Sequence, residues 1–344
     1  MKLGALLLAS IAGLLLFQSQ SVRASGLAEE VFIKNDDANL VLAGTLTKPD
    51  REGPFAAVLL VTGSGPQDRD ETIFGHKPFK VIAEFLSDRG YLVLRYDDRG
   101  VGQSTGEHRG TTVDFATDAR AGVDFLLGRP DVDRDRVGIL GHSEGATIGA
   151  IVAARQNDLA FLVMLAGSAL PGDQVLRQQI GAQLALMGKD AAHIERNDGY
   201  LDRVIALATA DPFDQTALTD AVEDIRAREG ESQRWAEAQT AFFSSGWVRH
   251  VLTFDPGPTL SQLRLPVLAL FGETDRQVLA EPNGAAARAA LRANPLARVE
   301  VVSRANHLFQ TSETGDPREY ATISETISPV VLELIAGWLS ETVR

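Results

Sequence analysis

Apolar residues along this chain fall into short runs, separated by longer stretches with a helical rhythm. Two β-type runs come first, at 30–34 and 40–46, with the turn-forming Asn35-Asp36-Asp37 between them. After Pro54 the pattern alternates. Strand-length runs rich in Val, Leu and Ile occupy 56–61, 91–96, 137–140, 159–165, 266–271 and 297–302. Continuous runs of this kind suit strands covered on both faces, as in a parallel sheet between helix layers. Helical spacing fills the intervals at 78–89, 113–127, 146–156, 285–293 and 323–339. The repeated alternation predicts a doubly wound, mostly parallel α/β sheet with right-handed crossovers.

One interval departs from the rhythm. Between Leu170 and Asp255 there is no strand signal, only helical stretches at 175–187, 200–210 and 215–228. A crossover between parallel strands needs on the order of a dozen residues, so this interval predicts a helical cap. Its expected place is over the carboxyl edge of the sheet, where α/β proteins bind ligands. The two ends frame the rest. Residues 1–24 read as a signal peptide, 25–169 as the first part of the core, 170–255 as the cap and 256–344 as the second part. The signal reading rests on Lys2, the 15-residue apolar stretch Leu3–Phe17 and the small-x-small site Val22-Arg23-Ala24. That stretch is short for a span, which takes roughly 20 residues. A periplasmic or secreted chain without stable membrane insertion is therefore expected.

Composition narrows the chemistry. With 33 basic and 46 acidic side chains the 344-residue chain carries a net charge of −13, against a nucleic-acid partner. There are no cysteines, which excludes disulfides, thiolate metal sites and cysteine nucleophiles. Six histidines, at 76, 108, 142, 193, 250 and 307, are the whole supply for acid–base catalysis.

The run 137–140 leads into Gly141-His142-Ser143-Glu144-Gly145 and then a helical stretch. A serine in G-x-S-x-G between strand and helix sits in a tight turn with its hydroxyl projecting, and the glycines admit neighbouring backbone. Ser143 is the candidate nucleophile. Such a serine needs a base, and the base a carboxylate, delivered in the order Ser, acid, His. Asp275 follows the run 266–271 in Gly272-Glu273-Thr274-Asp275, with Glu273 the alternative acid. His307 follows the run 297–302 and is the base candidate. For the oxyanion, the main-chain N–H groups of Ser64 and Glu144 are assigned, with Gly63 or Gly65 open as replacements for Ser64. His142 is expected to pack structurally, and Asp68, Arg69 and Asp70 to form an ion-pair network. The cap residues Leu184, Leu186, Met187, Phe242, Phe243 and Trp247 serve either an acyl pocket or core packing.

These residues carry a family likeness. The blocks 63–71, 74–79, 95–102 and 141–145, with Gly272–Asp275 and Asn306-His307, are similar to those of the α/β-hydrolase superfamily. More specifically, the chain resembles secreted bacterial esterases of the serine-aminopeptidase-like type. The resemblance implies hydrolysis of a small-molecule ester through an acyl-enzyme, with no metal or organic cofactor. Thr62 departs from the pattern, since many relatives carry His before the glycine. Aminopeptidase or amidase action on the same side chains, or a non-catalytic hydrolase-like binding module, are the alternatives.

Overall fold

The computed structural model describes residues 27–156 and 158–343; the segment 1–24, expected to be a signal peptide, lies outside these residues. Eight strands form one sheet in the order β1-β2-β4-β3-β5-β6-β7-β8. Strands β1 (Leu27–Asn35) and β2 (Leu40–Lys48) form an antiparallel pair, and β2 meets β4 (Leu92–Tyr96) antiparallel. From β4 onward every pairing is parallel, through β3 (Phe55–Val61), β5 (Val132–His142), β6 (Phe161–Leu165), β7 (Val267–Gly272) and β8 (Ala297–Val302).

The apolar runs explain the sheet's middle. All seven residues of β3 are buried, as are those of β4, β6 and β7. Helices α2 (Thr112–Leu127), α3 (Glu144–Arg155), α9 (Gly257–Gln262) and α10 (Ala280–Ala290) cover one face. Helices α1 (Pro78–Ser87) and α11 (Pro329–Thr342) cover the other. Truncating a fully buried side chain such as Leu59 typically costs about 2–5 kcal/mol, so each layer contributes heavily. Local chemistry sets the helix ends. At α2, Thr111 and Asp114 form a reciprocal capping box.

Three expectations need correction. β8 is not covered on both faces: it ends the sheet, and its outward Arg298 and Glu300 pair with each other, which discourages edge pairing. β5 begins at Val132, five residues before its apolar run, because the charged Asp133–Arg136 stretch extends the same strand. α11 begins at Pro329 rather than Ile323, since proline fits the first helical turn and stops the helix growing backward.

Between β6 and the sheet-covering α9 come five consecutive helices, α4 (Gly172–Leu186), α5 (Ala191–Ala208), α6 (Gln215–Glu229), α7 (Gln233–Ser244) and α8 (Gly246–Thr253). They share an apolar cluster of their own, centred on Leu201, Val204, Leu218, Val222, Phe243 and Leu252. No described helix is long and apolar enough to cross a membrane.

Candidate active site

Ser143 occupies the junction of β5 and α3 with φ +53° and ψ −117°, a left-handed conformation uncommon for a side-chain-bearing residue. The flanking glycines are sterically required. A Cβ on Gly141 would lie 2.1 Å from the Gly145 carbonyl oxygen, and one on Gly145 would lie 2.1 Å from the Val61 oxygen. The amide of Ser143 donates to Leu165 at 2.8 Å, pinning the turn to β6. No side chain caps the α3 N-terminus, so the positive end of the helix dipole remains for a ligand.

Asp275 and His307 arrive from the loops after β7 and β8. His307 Nε2 lies 3.2 Å from Ser143 Oγ, and its Nδ1 lies 2.7 Å from Asp275 Oδ2. Asp275 is 1% exposed, and its Oδ1 accepts the Gln277 and Val278 amides at 2.7 and 3.0 Å. That carboxylate therefore has one fixed orientation. The imidazole loop is shaped by Asn306, whose Oδ1 accepts the Leu308 and Gln310 amides at 3.0 and 2.9 Å. The Thr274 amide donates to Ala305 at 2.9 Å, stitching the acid and base loops together. Glu273 is exposed and accepts from Ser303 and Arg304, so it does not meet His307.

Of the three oxyanion-loop candidates, Gly63 has its N–H committed to Glu71 Oε1 at 2.7 Å. Ser64 lines the same cavity as Ser143, Glu144 and His307, a space of about 160 Å³. Gly65 lines a separate cavity of about 500 Å³ with His108, Arg109 and Phe115. Half-buried Asp98 braces the loop, accepting Thr62 Oγ1 at 2.8 Å and the Gln67 amide at 2.9 Å. Burial pushes this carboxyl up to about 7. Arg69 pairs with Asp97 and Glu30, and Asp70 with Lys77 and Arg95. These charges hold the loop against the sheet.

Val175, Val251, Phe254 and Val278 give the smaller cavity an apolar side. Of the six cap residues named for it, only Trp247 lines it. Phe243 packs inside the five-helix cluster, and Leu186 and Met187 border a different cavity. Trp247 Nε1 donates to Glu144 Oε1 at 2.8 Å, and Thr112 Oγ1 donates to the same oxygen at 2.7 Å. Burial raises the Glu144 pKa, against these two bonds. Neither partner was legible beforehand, because both contacts cross the fold.

His142 does more than pack. Its Nδ1 lies 2.9 Å from Glu71 Oε1 and its Nε2 lies 2.9 Å from the His307 carbonyl oxygen. His76 bonds Thr326 and the Tyr320 carbonyl, away from Ser143. Among the described residues no group of three or more His, Asp or Glu side chains converges as a metal site.

Fold and site define an α/β protein with a serine elbow and an Asp–His–Ser chain of hydrogen bonds on the carboxyl edge of its sheet. Residues 58–323 match the alpha/beta hydrolase family, and the chain belongs to it. It is 31% identical to esterase EstD of Thermotoga maritima over 313 residues, 90% of this chain and 68% of that protein. Among solved structures it resembles esterase Pf2001 of Pyrococcus furiosus, with a TM-score of 0.58, 15% identity and 93% of each chain covered. The alpha/beta hydrolase GrgF from Penicillium gives a TM-score of 0.57 at 18% identity, over 92% of this chain and 99% of that one. These two likenesses concern the fold.

Proposed function

We propose that this chain is a serine hydrolase that cleaves carboxylic esters with small or short acyl groups. Ser143 Oγ attacks the ester carbonyl while His307 Nε2 takes its proton, and the N–H groups of Ser64 and Glu144 hold the oxyanion. His307 then returns the proton to the departing alcohol, leaving an acyl-serine. A water molecule deprotonated by His307 attacks that acyl group, and His307 passes the proton to the departing Ser143 Oγ, releasing the acid and restoring the serine. Asp275 keeps the imidazole in the working tautomer and stabilises its cation. One observation carries this reading: the hydrogen-bonded chain Asp275–His307–Ser143 opens into a cavity with an apolar side. The cavity's modest volume supports short acyl groups.

An aminopeptidase calls for a carboxylate available to a substrate ammonium. The carboxylate that lines this cavity, Glu144, already accepts from Thr112 and Trp247, which favours esters over aminoacyl amides. Parallel assays of p-nitrophenyl acetate, butyrate and octanoate beside aminoacyl-p-nitroanilides test the proposal. Turnover of the short esters is expected, and turnover of the anilides alone contradicts it. Residues 1–24 support export to the periplasm or medium. The intact mass of exported protein should lack them, and a mass that retains them contradicts export by cleavage.

A further inference from the structure

Two loops must hold a fixed relation for the reaction proposed above, and no sheet ladder joins them. The oxyanion loop follows β3, the imidazole loop follows β8, and β5, β6 and β7 lie between these strands. We infer that Glu71 and His142 are positioning residues that lock the oxyanion loop to the base loop behind Ser143. The inference rests on the ester-hydrolase reading and adds two residues to it.

The connection is a continuous run of directed bonds. The Gly63 N–H donates to Glu71 Oε1 at 2.7 Å, the same oxygen meets His142 Nδ1 at 2.9 Å, and His142 Nε2 meets the His307 carbonyl at 2.9 Å. A carbonyl oxygen only accepts, so Nε2 carries a proton; the Glu71 carboxylate likewise accepts a hydrogen bond from Nδ1–H. Burial opposes that doubly protonated ring, but the charge and bond of Glu71 and the His307 carbonyl outweigh it, and the His142 pKa is raised. Glu71 and His142 are 3% and 7% exposed, so water does not loosen these bonds.

Two further features point the same way. Glu71 itself has φ +52°, a conformation that a non-glycine residue keeps only where its surroundings impose it. His142 immediately precedes Ser143, and its ring centroid lies 4.9 Å from that of His307. Nucleophile, base and oxyanion loop are thus referred to one buried pair. Glu71 occupies the Gly63 N–H, and Ser64 is the next residue in the cavity wall. A packing role would ask only for shape, whereas these contacts ask for an acceptor at Glu71 and a donor at His142 Nε2.

The test uses the full chain carrying Glu71→Leu, Glu71→Gln, His142→Leu, His142→Gln or His142→Asn. Each variant is read by kcat and KM on p-nitrophenyl butyrate, by the rate of Ser143 labelling with a p-nitrophenyl phosphonate, and by Tm. Folded Leu variants should lose roughly 10²-fold in kcat, the scale of losing one oxyanion donor, with KM within about threefold. Glu71→Gln keeps an acceptor for Gly63 and should recover roughly tenfold over Glu71→Leu. A glutamine nitrogen reaches toward the Nε2 position and an asparagine nitrogen toward Nδ1. His142→Gln should therefore exceed His142→Asn by roughly tenfold, a comparison that stands even where the Leu variants do not fold. Equal rates for the Gln and Asn variants, or unchanged kcat in folded Leu variants with only Tm lowered, would overturn the inference. Absence of ester turnover by the unmodified protein would count against the ester-hydrolase reading alone, because labelling rates still rank the variants.

Discussion

Below Ser143 the cavity wall is made of strand ends stitched together by buried polar groups; above it the wall comes from α4 and α8, two of five helices packed around their own apolar cluster. In the lower part each reacting group is held by at least two directed bonds or by backbone that tolerates no added carbon. Asp275 takes two amides, Asn306 shapes the His307 loop, and Gly141 and Gly145 leave no room beside Ser143. The upper part is looser against the cavity. Helix α4 contributes Val175 and Gln179, yet the one fully buried residue of that helix is Gly172. A polar tie from this upper part to the elbow comes from α8, where Trp247 bonds Glu144. A sheet edge can hold three side chains to fractions of an ångström, which proton transfer demands. A separately packed helical roof can change shape without disturbing them, which suits selection among substrates.

Substitutions that strike one part and spare the other sharpen this contrast. The largest effect is expected from Gly145→Ala, whose new carbon meets the Val61 carbonyl and pushes the elbow open. Activity should fall by roughly 10²-fold or more, the scale of displacing a reacting atom by about an ångström. Circular dichroism and ester turnover check this, and full activity would show that the elbow has room to spare.

Trp247→Phe removes the indole donor to Glu144 while keeping an aromatic ring in the roof. Its effect should fall on selection rather than on chemistry. The ratio of kcat/KM for butyrate over octanoate esters should shift by about tenfold or less, with kcat on the best ester nearly unchanged. An equal loss on every ester would place Trp247 with the lower part instead.

The smallest effect concerns pH. Asp98 is pushed up to about 7 by burial, from an ordinary carboxyl value near 3.8. Between those values the folded chain keeps a proton that the unfolded chain has released, so this group's contribution to stability declines as pH rises through the window. Asp98→Asn removes that decline. The Tm difference, variant minus unmodified protein, should be more positive at about pH 8 than at about pH 5. A difference that is flat, or that moves the other way, contradicts the assignment of a proton to Asp98.

Much of the lower part was legible in the residue pattern. Unbroken apolar runs mark β3, β6 and β7 because strands covered on both faces need them. Residues 143, 275 and 307 could be singled out because each follows such a run, and in the structure they lie within hydrogen-bonding reach. The start of β5 was hidden by its charges. The segment 323–328 looked helical, yet Thr326 bonds His76 and the Glu325 carbonyl accepts from Gln310, contacts that a helix start further back would break. The polar link between Glu71 and His142, which was expected only to pack, escaped notice for a related reason. Their partners are 71 and 165 positions away along the chain, and no local period reports such contacts.

Covalent labelling with a p-nitrophenyl phosphonate, followed by mass mapping of the modified peptide, tests the proposed chemistry most directly. One phosphonyl group per chain is expected on Ser143, with p-nitrophenyl butyrate hydrolysis lost in step and absent from Ser143→Ala. Modification at a different residue, or undiminished ester hydrolysis by the folded Ser143→Ala variant, would contradict the account.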